Sequence, residues 1–589
     1  GTLSSSFDVV TTTATWIGGS GNWDDPANWQ DGRLPEPGDD VVMNPAAGSV
    51  ITYRAQSGTT SVFSLSTTAK LNVIGGTLDV RTTLVADGGV ELAGGRIARA
   101  TINAGAENLP VIVNSNGNNR LRDVTLNVPL LVNDTSDFVG IEVGLPLNDR
   151  VTISSWGRLA TYGSLTISGS GEIVISTTNA TRRQGIVPMQ SFTTLTIGPE
   201  ITVRGGNGTI GRLSDYNSPS NVDIVIEGTV DASSGSRTIH LNPAGGTLTN
   251  NGTLRASGGT LDVDGLDGNV GQVELVSGAI DLGGVKVIYQ YMISTGSTLT
   301  LRGDWTNNAT VNLSGRSVLR LVTNSDTVGD FSVDDSTITI SGSIATGILD
   351  QMTLSDVDLT VGGTLDNTSS VISIGGNDPF ASMTIDGGTV IGGVINGTRT
   401  GDWDEGTIGG AARTNNSLHL RVPDSAALTP TRQFTFETWI NVDTFDSTWQ
   451  PIIQKGNSSG PRSYGLWLNS NGFLRFDTYD VRGRYYSVDS AASSIGLGTW
   501  HHVAGVIDRD AATMRIYVDG VQQGSSSISS DNTQTYNNDL LLGATFRSSS
   551  SDSRFSGRID DVRLWETVRT PEQIADNRDT ALVGDETGL

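Results

Sequence analysis

Short hydrophobic segments in which apolar and polar residues alternate recur along the chain between about residues 41 and 412. Typical segments are Leu71-Asn72-Val73-Ile74, Glu172-Ile173-Val174-Ile175 and Val222-Asp223-Ile224-Val225-Ile226. Alternation with a period of two directs Val, Ile and Leu to one side of an extended strand and Thr, Ser, Asn or Asp to the other. Long helical periodicity is absent until the last residues. The pattern predicts an all-β protein.

Glycine turns with a common sequence separate many of these segments. Gly-Gly-Thr-Leu occurs at residues 75–78, 245–248, 258–261 and 362–365. Strands at roughly ten-residue intervals predict coils of about 20–30 residues, and we expect the glycine turns to stack at one corner. The spacing resembles the right-handed parallel β-helices of secreted bacterial adhesins. That resemblance implies a parallel β-helix over residues 45–412; a string of separate sandwich domains is the competing interpretation.

Three tryptophans mark the N-terminal segment, residues 1–44. Trp16, Trp23 and Trp29 lie in a stretch that resembles the beginning of many bacterial secreted β-solenoids. The open end of a β-helix exposes strand edges and a hydrophobic bore, which large aromatic side chains can plug. We therefore interpret this segment as a cap. The alternative is that the three indole rings stack on sugar rings.

Asparagines recur at related positions of the repeats. Leu248–Leu254 and Gly303–Val311 both contain an Asn-Asn pair after a Thr. Asparagines at equivalent corners of a solenoid can stack in hydrogen-bonded ladders. We expect such ladders here, with a structural role.

Composition narrows the class of protein. The chain has 589 residues, 74 of them glycine, no cysteine and a net charge of −25. A disulfide framework and thiolate metal sites are excluded, and an acidic chain is a poor partner for nucleic acid or an anionic membrane. No run of about 18 apolar residues is present, so we expect no membrane insertion. Together these features favour a secreted or cell-surface protein of a prokaryote.

The pattern of the sequence changes from about Ser417. Five segments stand in order: Phe434–Ile440, Gly498–Gly505, Ile516–Gly520 and Phe555–Arg563, preceded by Val422–Leu428. Together they resemble a laminin-G-like domain, a concanavalin A-like jelly roll, which implies a β-sandwich over residues 413–578.

Local signals at the end of this region are specific. Asp519-Gly520 is typical of a tight hairpin turn. Thr570, Pro571 and Gln573 predict the N-terminus of a short helix with a capping box. Residues 579–589 resemble a linker to a further domain.

Two histidines and a glutamate in the jelly roll invite a catalytic interpretation. Neighbours in a strand point to opposite faces, so we expect His501 and His502 not to serve one site. Glu437 lacks the second carboxylate that glycoside hydrolysis requires. We expect structural roles for these residues and no catalytic residue.

The resemblance also implies a calcium site. Domains of this type often hold one Ca²⁺ with carboxylates from the start of the domain and from a strand near its end, and the matching residues are Asp424, Asp560 and Asp561. Hard oxygen ligands suit this cation. The alternative is that Asp424 caps a turn and Asp560 holds the closing strand by hydrogen bonds.

The sequence thus predicts a non-catalytic extracellular adhesin, matrix or filament protein. Its solenoid would be a stalk, and its jelly roll would bind a polysaccharide, a cell-surface glycan or a protein. Contacts with other copies of the chain in a filament are part of this prediction. The competing hypothesis is a polysaccharide lyase or glycoside hydrolase of the β-helix type. Such an enzyme needs clustered carboxylates and, in the lyases, a Lys or Arg base on one outer face.

Overall fold

A computed structural model describes most of the chain, and it is nearly all-β, with 4% helix. The described residues are 12–133, 138–176, 184–213, 219–288, 292–322, 330–375, 378–386, 388–397, 411–414, 419–422, 424–445, 447–457, 461–545 and 554–580. Two compact units divide the chain, residues 1–319 with 329–331 and residues 320–328 with 332–589.

A β-solenoid of about 15 turns precedes the C-terminal domain. Its strands pair in parallel, and successive partners in one ladder are about 20 to 30 residues apart along the chain. In the first unit three ladders run side by side, so each turn contributes three short strands. The prediction of parallel strands in turns of this length is confirmed.

The strands of the three ladders follow from this pairing. The first ladder contains Thr12–Trp16, Asp39–Met43, Ser64–Thr67, Thr83–Ala86, Thr101–Asn103, Thr125–Asn127, Leu145–Pro146, Leu165–Ser168, Thr194–Ile197, Asp223–Ile226, Leu248–Asn250 and Trp305–Asn307. The second contains Gly21–Asn22, Val90–Leu92, Val111–Val113, Leu130–Val132, Arg150–Ile153, Glu172–Ile175, Thr202–Gly205, Thr229–Ala232, Thr253–Ala256, Gln272–Leu275, Met292–Thr295 and Val311–Ser314. The third contains Arg96–Ala98, Arg120–Arg122, Phe138–Glu142, Arg158–Tyr162, Gln184–Pro188, Gly208–Gly211, Thr238–Asn242, Thr298–Arg302 and Val318–Val322. Four longer strands turn a corner and belong to two ladders each: Val50–Val62, Lys70–Val80, Thr260–Asn269 and Ala279–Ile288.

Aliphatic side chains stacked rung on rung form the core of the solenoid. In the third ladder Leu159, Ile186, Ile210 and Leu241 are successive partners, and all four are fully buried. Neighbours along each strand are mostly half-buried Thr, Ser, Asn and charged residues. The period of two in the sequence therefore records one inward and one outward row per ladder.

The three N-terminal tryptophans belong to the core. Trp16, Trp23 and Trp29 are at most 4% exposed, and Trp29 makes edge contacts with the other two at centroid distances of 5.0 and 4.9 Å. The Trp29 indole N–H donates to the Trp23 carbonyl oxygen over 2.8 Å. Because their rings are buried against one another, they present no face on which a sugar could stack.

The Gly-Gly-Thr-Leu turns do not all stack at one corner, so that prediction is wrong. Leu248 pairs with Ile224 in the first ladder, whereas Leu261 pairs with Ile239 in the third. Leu365 has Val390, the last residue of a related motif, as its partner. The motif marks a sharp corner that is followed by an inward Leu, either before a strand or, at residues 75–78, inside the strand Lys70–Val80 that turns a corner. Each turn of the solenoid has several such corners.

The asparagines have the structural role that was predicted, but the ladder of amides lies outside the two Asn-Asn segments for which it was expected. The Asn127 amide donates to the Asn103 amide oxygen over 2.7 Å, and the Asn148 amide donates to Asn127 over 2.8 Å. The related segments use a second arrangement. Buried Asn250 and Asn307 each donate to a carbonyl of the following rung and accept a backbone N–H two residues ahead.

The second unit contains the remaining solenoid strands. Phe331–Ile340, Thr353–Val361 and Phe380–Ile385 form one parallel ladder, Ser343–Ala345, Thr364–Asp366 and Thr389–Ile391 a second, and Val371–Ile374 pairs with Val394–Gly397. The short helices in the described part of the chain are Pro26–Asn28, Gln30–Gly32, Thr346–Leu349, Ala426–Leu428 and Pro571–Asn577. Among the described residues no helix is long and apolar enough to cross a membrane.

The C-terminal domain is a sandwich of two six-stranded antiparallel sheets. Its strands are β1 Ala412–Thr414, β2 Leu420–Val422, β3 Gln433–Val442, β4 Trp449–Gly456, β5 Arg462–Asn469, β6 Leu474–Tyr479, β7 Tyr485–Asp489, β8 Trp500–Asp508, β9 Thr513–Val518, β10 Val521–Ser527, β11 Leu540–Leu542 and β12 Gly557–Trp565. The first sheet has the order β1-β12-β3-β8-β9-β10, and the second has the order β2-β11-β4-β5-β6-β7.

Inward side chains of both sheets form the core of this domain. Phe434 and Val503 from the first sheet and Leu466 and Phe476 from the second are fully buried in it. The turn at Asp519 and Gly520 has positive φ at both positions, 53° and 78°, as the predicted tight hairpin requires. The capping box of Thr570 and Gln573 at the helix Pro571–Asn577 is also confirmed.

Candidate functional site

The structure does not bring the three predicted calcium ligands together. Asp560 and Asp561 are consecutive in β12 of the first sheet, and Asp561 forms an ion pair with Arg563. Asp424 follows β2 of the second sheet, where its carboxylate pairs with the buried Lys455 ammonium. The described part of the chain contains one group of three acidic or histidine side chains with ligand atoms within 4.8 Å of one another, and it includes none of these residues. Calcium binding by Asp424, Asp560 and Asp561 stays a prediction.

That group lies on the outer side of the solenoid and consists of His240, Asp262 and Asp264. His240 Nε2 is 2.8 Å from Asp264 Oδ2. Arg302 lies among the same carboxylates, donating to Asp262 over 2.9 Å and to Asp264 over 3.1 Å, and it also contacts Asp281. The guanidinium neutralises much of the negative charge that a cation would need. We call these five side chains the Arg302 cluster.

Two carboxyl groups of the Arg302 cluster differ in acidity. The hydrogen bond with His240, supported by Arg302, lowers the pKa of Asp264 below its usual value. Burial raises the pKa of Asp281 despite its contact with Arg302. The cluster joins residues from several successive rungs, so no contiguous motif reveals it. The Asp-Val-Asp alternation at 262–264, which points both acids outward, is the signal in the sequence.

The two histidines of the jelly roll have separate surroundings. His501 Nδ1 lies 2.8 Å from Asp519 Oδ2 in the hairpin turn. His502 is buried, with Nε2 3.5 Å from Glu437 Oε2 and its ring against Trp439. Glu437 is fully buried and accepts a hydrogen bond from Arg569 over 3.0 Å. The expectation that these residues share no exposed site agrees with this geometry.

Four aromatic side chains lie on the outer face of the second sheet. Alternation places Trp467, between the core residues Leu466 and Leu468, on this face. Trp449 lies in the adjacent strand with Arg475 stacked 4.6 Å from its ring. Tyr479 and Tyr485 are cross-strand partners with ring centroids 5.2 Å apart, and Tyr485 is 44% exposed. Partly exposed rings on a regular sheet form a firm apolar platform.

A bulge and a glycine shape the centre of this face. The register of β4 and β5 shifts between Lys455 and Gly456, so that Arg462 pairs with Gly456 and reaches the outer side. There its guanidinium lies 4.7 Å from the centre of the Trp467 ring. A Cβ at Gly465 would lie 2.7 Å from Trp467 Nε1, 2.8 Å from Asp477 Oδ1 and 2.9 Å from Arg462 Cδ. The glycine therefore allows these three side chains to converge above the strand.

Gln454 completes the arrangement, since Gln454, Gly465 and Asp477 are direct partners across β4, β5 and β6. We call Gln454, Arg462, Gly465, Trp467 and Asp477 the Gly465 cluster. Four of its buried polar atoms have no hydrogen-bond partner in the structure: Gln454 Oε1, Arg462 Nε, Trp467 Nε1 and Asp477 Oδ1. Native proteins rarely leave buried polar atoms unpaired. Such atoms also occur in the first sheet, but here they lie on the face that carries the exposed ring of Tyr485, so we take the Gly465 cluster as the candidate binding site.

Asp477 has the most perturbed surroundings in the Gly465 cluster. It is 2% exposed, and burial raises the pKa of its carboxyl group to about 6, although Arg462 at 3.4 Å opposes the shift. Its other oxygen accepts a hydrogen bond from the Tyr485 hydroxyl over 3.3 Å. A carboxylate held in this way is poised to accept a further hydrogen bond.

The C-terminal domain is a concanavalin A-like domain: residues 414–575 match the Laminin_G_3 family, described as the concanavalin A-like lectin/glucanases superfamily. The predicted resemblance is thereby confirmed for this domain.

Three solved structures are similar to part of the chain. A putative carbohydrate binding protein from Bacteroides ovatus is 23% identical over 30% of this chain and 49% of its own, with a TM-score of 0.25. Domain 4 of the extracellular arabinanase AbnA from Geobacillus stearothermophilus, in complex with arabinotriose, is 24% identical over 31% and 82%, with a TM-score of 0.24. The sialidase module CBM40 from Ruminococcus gnavus, bound to α2,3-sialyllactose, is 15% identical over 26% and 84%, with a TM-score of 0.22. At these identities and TM-scores, none of the three assigns a binding residue to this chain.

Proposed function

We propose that the protein is a non-catalytic extracellular adhesin, matrix or filament protein whose C-terminal domain binds carbohydrate through the outer face of its second sheet. The observation that carries this proposal is the Gly465 cluster beside the exposed ring of Tyr485. Sugar sites combine an apolar platform for the ring with a few placed polar groups for its hydroxyls. The family of the domain, which includes lectins, supports the same class of ligand.

A glycan array probed with the full chain tests the proposal. We expect Tyr485→Ala to weaken binding by about tenfold, the usual scale for losing one aromatic contact. Phe192→Ala is the matched control, because Phe192 is 82% exposed and belongs to the solenoid. Equal losses in both variants, or a chain that binds no glycan, would contradict the proposal.

The location and the assembly of the protein belong to the same proposal. The acidic, cysteine-free composition and the resemblance of the solenoid to bacterial surface proteins support a secreted or cell-surface location in a prokaryote. Contacts between copies in a filament are a further part of it, and negative-stain images of the full chain would reveal them as end-to-end assemblies.

Calcium dependence rests on the resemblance that singled out Asp424, Asp560 and Asp561. A bound ion at a hundredfold excess over its dissociation constant would stabilise the domain by about 2.7 kcal/mol. Melts of the full chain with Ca²⁺ and with EDTA test this, and Asp560→Ala should abolish any shift. A melting temperature that is the same in both conditions would remove calcium from the proposal.

A specific observation favours a second candidate function, cleavage of a polysaccharide on the solenoid. The Arg302 cluster is the grouping of carboxylates and a cation that a β-helix lyase or hydrolase requires, and the pKa values of Asp264 and Asp281 are shifted in opposite directions. Assays for unsaturated or reducing-end products distinguish the candidates. Sustained product release that is lost in Asp281→Asn but retained in Asp477→Asn would replace the first proposal with this one.

A further inference from the structure

The four unpaired atoms of the Gly465 cluster are two donors and two acceptors. Arg462 Nε and Trp467 Nε1 carry hydrogens, whereas Asp477 Oδ1 and Gln454 Oε1 carry lone pairs. Asp477 is 2% exposed and Gln454 is 4% exposed. Leaving such groups buried without partners costs free energy that a ligand with the complementary groups would recover.

The balance of donors and acceptors restricts the chemistry of that ligand. A hydroxyl group donates one hydrogen bond and accepts others, so two hydroxyls can serve two acceptors and two donors. A carboxylate or sulfate group only accepts and would leave Asp477 and Gln454 unpaired. An ammonium group only donates and would leave Arg462 and Trp467 unpaired.

The charge of the outer face also favours an uncharged ligand. Each of the three arginines that the described strands place there has an aspartate beside it that offsets its charge. Arg421 lies beside Asp539 and Arg475 beside Asp489, while Arg462 Nε is 3.4 Å from Asp477 Oδ1, close enough to offset charge but without a hydrogen bond. An acidic sugar would therefore meet a face without net positive charge, on a chain whose net charge is −25. Polyanionic glycans are disfavoured by both the local and the overall charge.

On the basis of the carbohydrate-binding function proposed above, we propose that the Gly465 cluster is the specificity site of the domain and selects uncharged sugars. Because the four atoms are buried and a Cβ would not fit among them, the Arg462 and Trp467 side chains must move outward to admit a ligand. Two neighbouring hydroxyls of one sugar ring then bind there. They donate to Asp477 Oδ1 and Gln454 Oε1 and accept from Arg462 Nε and Trp467 Nε1. Gly465 is required because the Cβ of any other residue would occupy the space in which Trp467, Asp477 and Arg462 meet.

This arrangement ties binding to the protonation of Asp477. The hydroxyl donates to the carboxylate, so protonation removes an acceptor and leaves two protons facing each other. Since burial raises the pKa of Asp477 to about 6, affinity should fall as the pH decreases through that value. A ligand that binds only the ionised form would lose about tenfold in affinity between pH 7 and pH 5.

The test measures binding of the full chain to soluble polysaccharides of three kinds: neutral glucan, mannan and arabinan; the uronates alginate and polygalacturonate; and dextran sulfate. We expect binding to at least one neutral polysaccharide and none to the charged ones. Asp477→Asn should reduce the affinity at pH 7 about tenfold and abolish its pH dependence, while Gly465→Ala and Trp467→Phe should each weaken binding. Asp510→Asn, a change at an exposed aspartate between β8 and β9 of the first sheet that pairs with Arg432, is the control that should bind as the unmodified chain does. A cooperative melt at or above the melting temperature of the unmodified chain shows that a variant is folded.

The outcomes separate this inference from the function on which it rests. No binding to any polysaccharide would overturn the carbohydrate-binding function and this inference with it. Binding to uronates or dextran sulfate in preference to neutral polysaccharides would overturn the inference alone. Neutral polysaccharide binding that is independent of pH and unchanged in Asp477→Asn and Gly465→Ala would place the site elsewhere on the protein.

Discussion

The two sheets of the C-terminal domain differ on their outer sides. Outside the first sheet, Ala504, Val506 and Tyr517 pack against Ile574 of the helix Pro571–Asn577. Outside the second sheet, Trp467 is half-buried and Tyr485 is 44% exposed. Both sides contain buried polar atoms without partners, but only those of the second sheet lie beside rings that a ligand can reach.

Buried charged residues therefore have two different roles in this domain. Glu437 and Arg569 form a sealed pair that ties the helix segment to the first sheet, with Arg569 also donating to the Gln573 carbonyl. Glu437 Oε2 also lacks a hydrogen-bond partner, so the difference lies in the contact between the charges: Arg462 Nε and Asp477 Oδ1 are 3.4 Å apart without a direct hydrogen bond. The first arrangement stabilises the fold, whereas the second is typical of a binding site, where stability is given up for ligand contacts.

Breaking the ion pair of Glu437 and Arg569 should have the largest effect on the stability of the domain. In Arg569→Met the Glu437 carboxylate stays buried without its cation, which should lower the free energy of unfolding of the domain by about 3–5 kcal/mol. Urea denaturation of the full chain measures this. Arg475→Met is the matched control, because Arg475 also pairs with a carboxylate and stacks on a tryptophan, but on a partly exposed surface. That change should cost about 1 kcal/mol or less; equal losses would contradict the distinction.

Neutralising Asp477 should increase the free energy of unfolding, whereas Arg569→Met lowers it. Its folded-state pKa of about 6 lies above the usual 3.8, so the contribution to stability is fully present below about pH 4 and is lost as the pH rises through 6. Asp477→Asn should therefore raise the free energy of unfolding at pH 7 by up to about 3 kcal/mol and flatten its pH dependence between 4 and 6. Denaturation curves at several pH values would show this. A variant that is less stable than the unmodified chain at pH 7 would contradict it.

The packing of the helix Pro571–Asn577 on the first sheet can also be weakened slightly by a change at the N-terminus of the helix. Thr570→Ala removes the side-chain half of the capping box and should cost about 1 kcal/mol. Thr567→Ala, three residues earlier on an exposed position, is the control and should be nearly neutral. Thermal melts of the full chain compare the two, and a loss in both variants would point away from the cap.

Much of the fold could be predicted because local rules decide it. The alternation in Glu172–Ile175 fixes which side chains face the bore, and the sequence Thr570-Pro571-Glu572-Gln573 specifies a helix start by itself. The corner positions of Gly-Gly-Thr-Leu were wrong because the motif specifies a sharp turn and not the ladder that follows it.

The candidate site could not be predicted in the same way. Arg462 reaches the outer face only because the strand register shifts beside it, and Trp467 and Asp477 meet only after β5 and β6 pair. The acids taken from the resemblance form ion pairs in the structure, Asp424 with Lys455 and Asp561 with Arg563, and calcium binding by them stays a prediction. Pairing between strands, and not the spacing along one strand, builds this site. The Arg302 cluster was missed for the same reason.

The uneven length of the solenoid turns has an evolutionary consequence. Ile210 and Leu241 are direct partners although the chain between them is much longer than that between Leu282 and Leu301, which pair in the same way. The additional residues lie in loops at the corners of the turn, where they take no part in the hydrogen bonds of the ladders. Insertions and deletions at corners are therefore nearly neutral, and duplication of a whole turn adds about 4.8 Å of solenoid without disturbing its neighbours. Related chains should diverge first in the lengths of their corners and the number of their turns, while the inward rows of Val, Ile and Leu change slowly.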